Sequence, residues 1–487
     1  MVCYCVGVWV LGVLISKTSV KRNCANKPTS TGISTYAPHW VKTDTKRFPR
    51  ARLRKAGGEL AIGDVLSIFH SEAQIADAKA FGQLLAHLKE VDEKHSTVIM
   101  VQVENETGLL GDSRDGGAAA EKRFNSAVPS DLIKALKEDS SVLRPELKWT
   151  LESMSKNSTG TWPEVFGRGR RTDELFMAYH YALYLEEVAS AGKQAYPIPL
   201  YTNVWQNYND DDADNNFPVV VGGGSNPGDY PSGGGVINVL DVWKTFAPSL
   251  DMISPDVYLN EYSSSCAKYR HRNQPLFIPE QRRDEYGARR TWVAIGNYQC
   301  LGCSPFGIET LEPQDNPFKR HYGLMKQVSK QILQAQRDLS SVGFYFDELP
   351  TGPDAKDPSP AQKVKFGPWH LTIERSFVFG HPSAGFGMVI HQSGAKFMLI
   401  GAGFQVTFKH ESAPFTGILR FDEKEAQEDG SLKTLRMLNG DETRSGAFCI
   451  MPSEEPDYGG FPISVTIPAR TMIAEAEVYA LEDDETS

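Results

Sequence analysis

Between residues 71 and 336 the chain switches repeatedly between two periodicities, and that alternation limits its fold more than any other feature. "SEAQIADAKAFGQLLAHLKEVDEK" (71–94) puts Ile75, Ala78, Phe81, Leu84, Leu85 and Leu88 at helical spacing behind Ser71 as N-cap. Val98, Ile99, Met100, Val101 and Val103 then form an apolar run expected to be a buried strand. "RTDELFMAYHYALYLEEVASAG" (171–192) reads as a long helix, with Thr172 as cap, Asp173 and Glu174 at its positive end and Gly192 at its C-terminus. "YPIPLYTNVW" (196–205), "DMISPDVY" (251–258), "QPLFIPE" (274–280) and "VAIGNYQCLGCSPFGIET" (293–310) read as extended. "VINVLDVWKTFAPSL" (236–250) and "HYGLMKQVSKQILQAQ" (321–336) read as helices, and 206–235 as a Gly/Asp/Asn-rich loop. Strands alternating with helices predict a parallel sheet, and five such units favour an α/β fold of the (β/α)8 TIM-barrel type.

In such a barrel the chemistry sits at the C-terminal ends of the strands. Four of the expected strands end in polar groups: Glu104-Asn105-Glu106, Asn203, Asp256 with Tyr258, and Glu280. A charge at the end of a buried strand costs several kcal/mol unless it is paired. Glu106 and Glu280 each follow an apolar strand, with two expected strands between them, the spacing of strands four and seven. Two carboxyl groups facing one another suit the cleavage of glycosidic bonds; a retaining enzyme holds them about 5–5.5 Å apart. A strand-end salt bridge is the plainer reading of Glu106 taken alone, and less so for two such strand ends at this spacing. Strand alternation places Glu104 and Glu106 on the same face, so pattern alone does not choose between them. Tyr258 is a candidate donor to Glu280, or a packed core tyrosine. Asn203 and Trp205 are candidate sugar contacts, the Trp by stacking, and Glu309 is either a substrate contact or a structural ion pair.

"VIMVQVENETG" (98–108) resembles the acid/base motif of the β-galactosidases of glycoside hydrolase family 35. "PLFIPE" is similar to the strand-seven motif of that family. The resemblance implies Glu106 as acid/base, Glu280 as nucleophile, Asn105 as a contact to the substrate 2-hydroxyl, and Glu104 as a further substrate-side residue. "STYAPHWVKTDTKRFPRA" (34–51), "RTDELFMAYHYA" and "SPFGIE" (304–309) read like a subgroup whose barrel precedes a β-rich domain of undescribed function, of the DUF5597 kind. The expected reaction is exo-cleavage of terminal β-galactose from an oligosaccharide or plant cell-wall glycan, without a cofactor. Another sugar specificity and a catalytically silent carbohydrate-binding fragment are the rival readings.

A family barrel has two complete β/α units and most of a third strand before "YAPHW", whereas residues 1–33 resemble none of these. The expectation is therefore a barrel over 34–340 lacking its first strands, as in a truncated gene model or degraded copy. A linker follows at 341–362, including "LPTGPDAKDPSPAQ", and then a β-sandwich-like domain over 363–487.

The net charge of −10, without a basic stripe, disfavours nucleic acid as a partner. The run "VGVWVLGVLI" (6–15) is too short to span a bilayer, and its basic residues follow rather than precede it, unlike a signal peptide. Asn157-Ser158-Thr159 is a formal glycosylation sequon, as is Asn105-Glu106-Thr107, where a glycan would block the site; compartment stays open. Seven cysteines cannot all pair within the chain, and Cys300-Leu-Gly-Cys303 lacks the second ligand pair that zinc needs. Buried thiols, or one loop disulfide involving Cys266, are expected, and no metal site.

Overall fold

A computed structural model describes residues 37–138, 140–152, 154, 159–208, 223–350, 356–376, 384–453 and 470–482. The apolar run at 6–15, Asn157 and Ser158 of the sequon, and parts of the 206–235 loop and of the 341–362 linker lie outside them. Two compact units divide after Glu280, where the sequence places the boundary at 341–362.

The described part of the first unit opens with a one-turn helix, His39–Thr43, and an antiparallel hairpin, β1 (Arg50–Arg54) and β2 (Leu60–Leu66). There follow α1 (Ser71–Asp92), β3 (Val101–Gln102), α2 (Arg170–Ala195), β4 (Leu200–Trp205), α3 (Leu240–Phe246), β5 (Met252–Val257), α4 (Tyr262–Tyr269) and β6 (Ile278–Gln281). Strands β3 to β6 lie side by side in chain order. β3 and β4 run parallel with Val101 opposite Leu200, and β4 and β5 run parallel with Trp205 opposite Asp256. β5 is buried along its whole length and β4 up to Trp205, as expected where both faces of a parallel sheet are covered. The sheet is open: no closed eight-stranded barrel forms among the described residues.

Several local expectations shift for identifiable reasons. Only Val101 and Gln102 join the sheet as β3; Ile99 is exposed and Val98 and Met100 half-buried, because among the described residues β3 ends the sheet and has one neighbour. Ser71 is the first helical residue of α1 and does not cap it. Ile75 is exposed, since the buried stripe runs through Ala73, Ala80, Phe81 and Leu85. α2 begins at Arg170, so Thr172 lies inside it and its hydroxyl donates back to the Gly167 carbonyl at 2.8 Å. Gly192 also lies inside α2 instead of ending it. A Cβ there would stand 2.3 Å from the Phe81 ring. The cost of an interior glycine, about 1 kcal/mol, is offset by burying Phe81 completely, about 1.5–3 kcal/mol.

The second unit contains α5 (Glu285–Tyr298), β7 (Cys303–Pro305), α6 (Pro317–Gln327) and α7 (Ser329–Asp338). The stretch 293–298, expected to be extended, is thus helical; Asp284 caps α5 by accepting from the Gly287 N–H at 3.0 Å. Strands β8 (Ser341–Phe346), β9 (Gln362–Phe366), β10 (Trp369–Arg375), β11 (Gly385–Ser393), β12 (Lys396–Ala402) and β13 (Phe404–His410) follow. β14 (Phe415–Ala426), β15 (Leu432–Met437), β16 (Cys449–Met451) and β17 (Ile473–Leu481) complete the set. They make a four-stranded sheet, β16-β13-β10-β9, and a six-stranded sheet, β15-β14-β17-β12-β11-β8. Phe397 and Leu399 of β12 point into the core between the sheets, with Ile373, Phe404 and Val406. Met398 and Ile400, on the other face, pack against Trp292, Leu324 and Ile332 of the three helices and Val328 between the last two. The β-rich part of the chain is therefore sandwich-like, as its alternating sequence predicts, with helices covering one face.

Candidate active site

The strand ends of the first unit meet through side-chain amides. Gln102, buried in β3, donates from Nε2 to the Glu104 carbonyl at 2.9 Å, to Asn105 Oδ1 at 3.2 Å and to Asn203 Oδ1 at 3.0 Å. Asn203 Oδ1 also accepts the Glu106 backbone N–H at 2.8 Å. On its other side, Asn203 Nδ2 reaches Asp256 Oδ2 at 2.9 Å, Asn105 Oδ1 at 3.2 Å and Glu280 Oε1 at 3.4 Å. One buried asparagine thus ties the ends of β3, β4, β5 and β6 together. Tyr258 donates its hydroxyl to Glu280 Oε2 at 3.0 Å.

Glu106, Asp256 and Glu280 each present a carboxyl oxygen within 4.8 Å of the other two. Burial, and then the negative charge of Glu280, push the Glu106 carboxyl up to about 8, against a pull downward from its hydrogen bond with Asp256. Burial raises Glu280 to about 7, held down by the Tyr258 hydroxyl. Asp256 is raised well above the ordinary carboxylate range by burial and by both glutamates. Such a cluster suits chemistry in which one acid holds a proton while another does not.

The structure separates the two glutamates that strand alternation places on one face. β3 ends at Gln102, and Glu104 and Glu106 both take left-handed backbone angles, with φ of 58° and 43°. Their side chains therefore leave the loop in different directions. Glu104 meets Asp77 of α1, whose other partner is the Tyr184 hydroxyl of α2 at 2.5 Å. Burial raises both acids, Asp77 to about 6, and their contact requires a shared proton. Trp205 ends β4, and its buried indole N–H meets no acceptor among the described residues. Glu309 is exposed on a single helical turn of the second unit, not on a strand.

Sequence reasoning noted Asp256 as a strand-end acid but gave it no role, and missed Gln102 and Asp77. Asp256 carried the available signal: a charged residue two positions before Tyr258 inside an otherwise buried strand. Asp77 gave none, since it sits mid-helix and far from its partner in the chain. Cys266, Cys300, Cys303 and Cys449 are buried, with the Cys300 and Cys303 sulfurs 3.9 Å apart. No described helix is long and apolar enough to cross a membrane.

A family profile described as a domain of unknown function, DUF5597, matches residues 318–450, in line with the resemblance of the β-rich part; the match begins in α6, ahead of the strands. No curated protein matches the sequence. Among solved structures, β-galactosidase from the psychrophilic Marinomonas ef1 is 13% identical over 62% of this chain and 50% of its own, with a TM-score of 0.35. β-Galactosidase from Bacillus circulans sp. alkalophilus is 15% identical over 61% and 45%, with a TM-score of 0.36. The β-galactosidase of the Antarctic haloarchaeon Halorubrum lacusprofundi is 13% identical over 55% and 41%, with a TM-score of 0.33. The chain spans half or less of the length of these structures.

Proposed function

We propose that the chain is a retaining glycoside hydrolase, exo-acting on terminal β-galactosides, with Glu280 as nucleophile and Glu106 as acid/base. The observation that carries this reading is the approach of the Glu106 and Glu280 carboxyl oxygens to within 4.8 Å, against the roughly 5–5.5 Å carboxyl spacing of double displacement. Glu280 attacks the anomeric carbon while Glu106 gives its proton to the departing oxygen. Glu106, then ionised, takes a proton from the water that releases the sugar and restores Glu280. Tyr258 orients Glu280 through its hydroxyl. Asn105, its Oδ1 held by Gln102 and Asn203, turns its amide nitrogen to the sugar 2-hydroxyl, and Trp205 stacks against the sugar ring. The choice of galactose rests on the likeness of "VIMVQVENETG" to the family 35 motif.

Nitrophenyl glycosides of galactose, glucose and mannose test it directly. Turnover of the galactoside is expected, falling by about 10⁴-fold or more in Glu280→Ala. Glu106→Ala should keep most of its first-step rate on a dinitrophenyl galactoside, whose leaving group needs no proton, and lose it on a methyl galactoside. Turnover of a different glycoside alone would replace galactose as the substrate, and sugar binding without any turnover would refute the enzyme.

A further inference from the structure

Double displacement needs two carboxyl groups, and this site has three. Asp256 is 4% exposed. Its Oδ2 accepts from Asn203 Nδ2 at 2.9 Å, while Oδ1 is buried and reached by no N–H or O–H donor among the described residues. The Glu106 carboxyl is within hydrogen-bonding reach of Asp256. Two carboxylates do not bond to one another, but a carboxylic acid donates well to a carboxylate. A divalent cation is the other way to neutralise three close acids. It does not fit here, because Asn203 Nδ2 and the Tyr258 hydroxyl, both donors, already face Asp256 and Glu280 from within the cluster.

We propose that Asp256 is a positioning residue that keeps its proton through the whole cycle and holds Glu106 through it, so that the cluster carries one negative charge at every stage, with two protons at rest and one in the glycosyl-enzyme. The cycle rests on the glycosidase reading above; the proton count of the resting protein does not. At rest Glu280 is the carboxylate, and Glu106 and Asp256 are acids. In the first step the Glu280 oxygen forms a bond to the anomeric carbon, the bond to the leaving oxygen breaks with its electron pair, and the Glu106 proton goes to that oxygen. Glu280 is now a neutral ester, the charge sits on Glu106, and the Asp256 O–H stabilises it. In the second step water bonds to the anomeric carbon, its proton goes to Glu106, and Glu280 departs as carboxylate. The charge moves between two residues and never doubles within the buried cluster. The other ionisable groups bearing on Asp256 are the hydroxyls of Tyr201 on β4, Tyr258 after β5 and Tyr269 on α4, and none is a cation. Burial and the two glutamates favour the protonated form.

The test follows carbon-13-labelled carboxyl groups by NMR in the full chain without ligand. One aspartic carboxyl, assigned by its loss in Asp256→Asn, is expected to stay protonated through neutral pH. In Glu106→Gln its titration should move to lower pH, because a neighbouring acid is gone. In turnover, Asp256→Asn keeps an N–H donor toward Glu106 and should lose no more than about 10-fold. Asp256→Leu, with no donor, should lose about 100-fold and shift the alkaline limb of the pH profile upward. An Asp256 carboxyl already ionised at neutral pH overturns the proposal, as do Asn and Leu variants that are equally impaired with the same pH profile. A chain that turns over no glycoside refutes the enzyme reading, while the NMR titration still decides the proton.

Discussion

Glu106 and Glu280 are unlike in what opposes their burial. Glu280 has the Tyr258 hydroxyl to stabilise its charged form and stands at about 7; Glu106 faces the charge of Glu280 and stands at about 8. As pH rises, the nucleophile ionises before the acid loses its proton. kcat/KM should therefore follow a bell, rising near about pH 7 and falling near about pH 8. Tyr258→Phe removes the donor that favours ionised Glu280, so the rising limb should move upward and the bell narrow. An acid limb near the ordinary glutamate value in the intact protein would contradict the buried cluster. The same shift bears on stability. Glu106 keeps its proton in the fold at pH values where the unfolded chain has released it, so stability falls as pH climbs from the ordinary 4.5 to about 8 and then levels. Glu106→Gln removes that loss. Urea unfolding should find the variant more stable than the parent at about pH 9, by on the order of 5 kcal/mol, and nearly equal to it at about pH 4.

The element that decides the site is the short segment after β3. That Glu104 and Glu106 end a strand was legible from the sequence, because the apolar run 98–103 stops at Glu-Asn-Glu, and Glu280 likewise closes the apolar run 276–279; pattern alone did not decide between a salt bridge and a catalytic role for them. The divergence of Glu104 and Glu106 was not legible. Period-2 reasoning assumes that the strand continues, but Glu104 and Glu106 both sit in left-handed backbone, which no propensity for glutamate predicts. The loop is held in that shape by a close backbone crossing: Gly108 has φ +153°, and a Cβ there would stand 2.5 Å from the Pro231 carbonyl oxygen. Gly108→Ala must push the two loops apart and carry Glu106 away from Asp256 and Glu280. The expected result is a loss of about 1–3 kcal/mol of stability and a fall in kcat that exceeds any change in KM. Thermal unfolding and steady-state kinetics on the same preparation measure both; unchanged kcat with lowered stability would mean that the crossing supports the fold and not the acid. α5 was misread for a different reason. "WVAIG" is strand-like in composition, but Asp284 caps the segment and Trp292 and Ala288 bury its helical face.

For the whole molecule, residue patterns reached the parallel and antiparallel halves and stopped at long-range pairing. Strand alternation identifies β12 as buried, yet only the packed structure shows both faces covered, one by a second sheet and one by α5 to α7. The first unit carries a different consequence of long-range pairing. Among the described residues β3 ends its sheet with β4 as its one neighbour, and Ile99, just before it, is 48% exposed. An open strand edge flanked by an exposed branched apolar side chain favours pairing with another chain, which natural proteins oppose by placing Lys or Pro there. Sedimentation velocity should accordingly show self-association that grows with concentration, and Ile99→Lys should shift the protein toward monomer with no loss of thermal stability, since Ile99 is not buried within its own chain. Sedimentation independent of concentration, unmoved by that substitution, would show that this edge does not recruit a second chain, whereas association that persists in the Lys variant would place the contact on another surface.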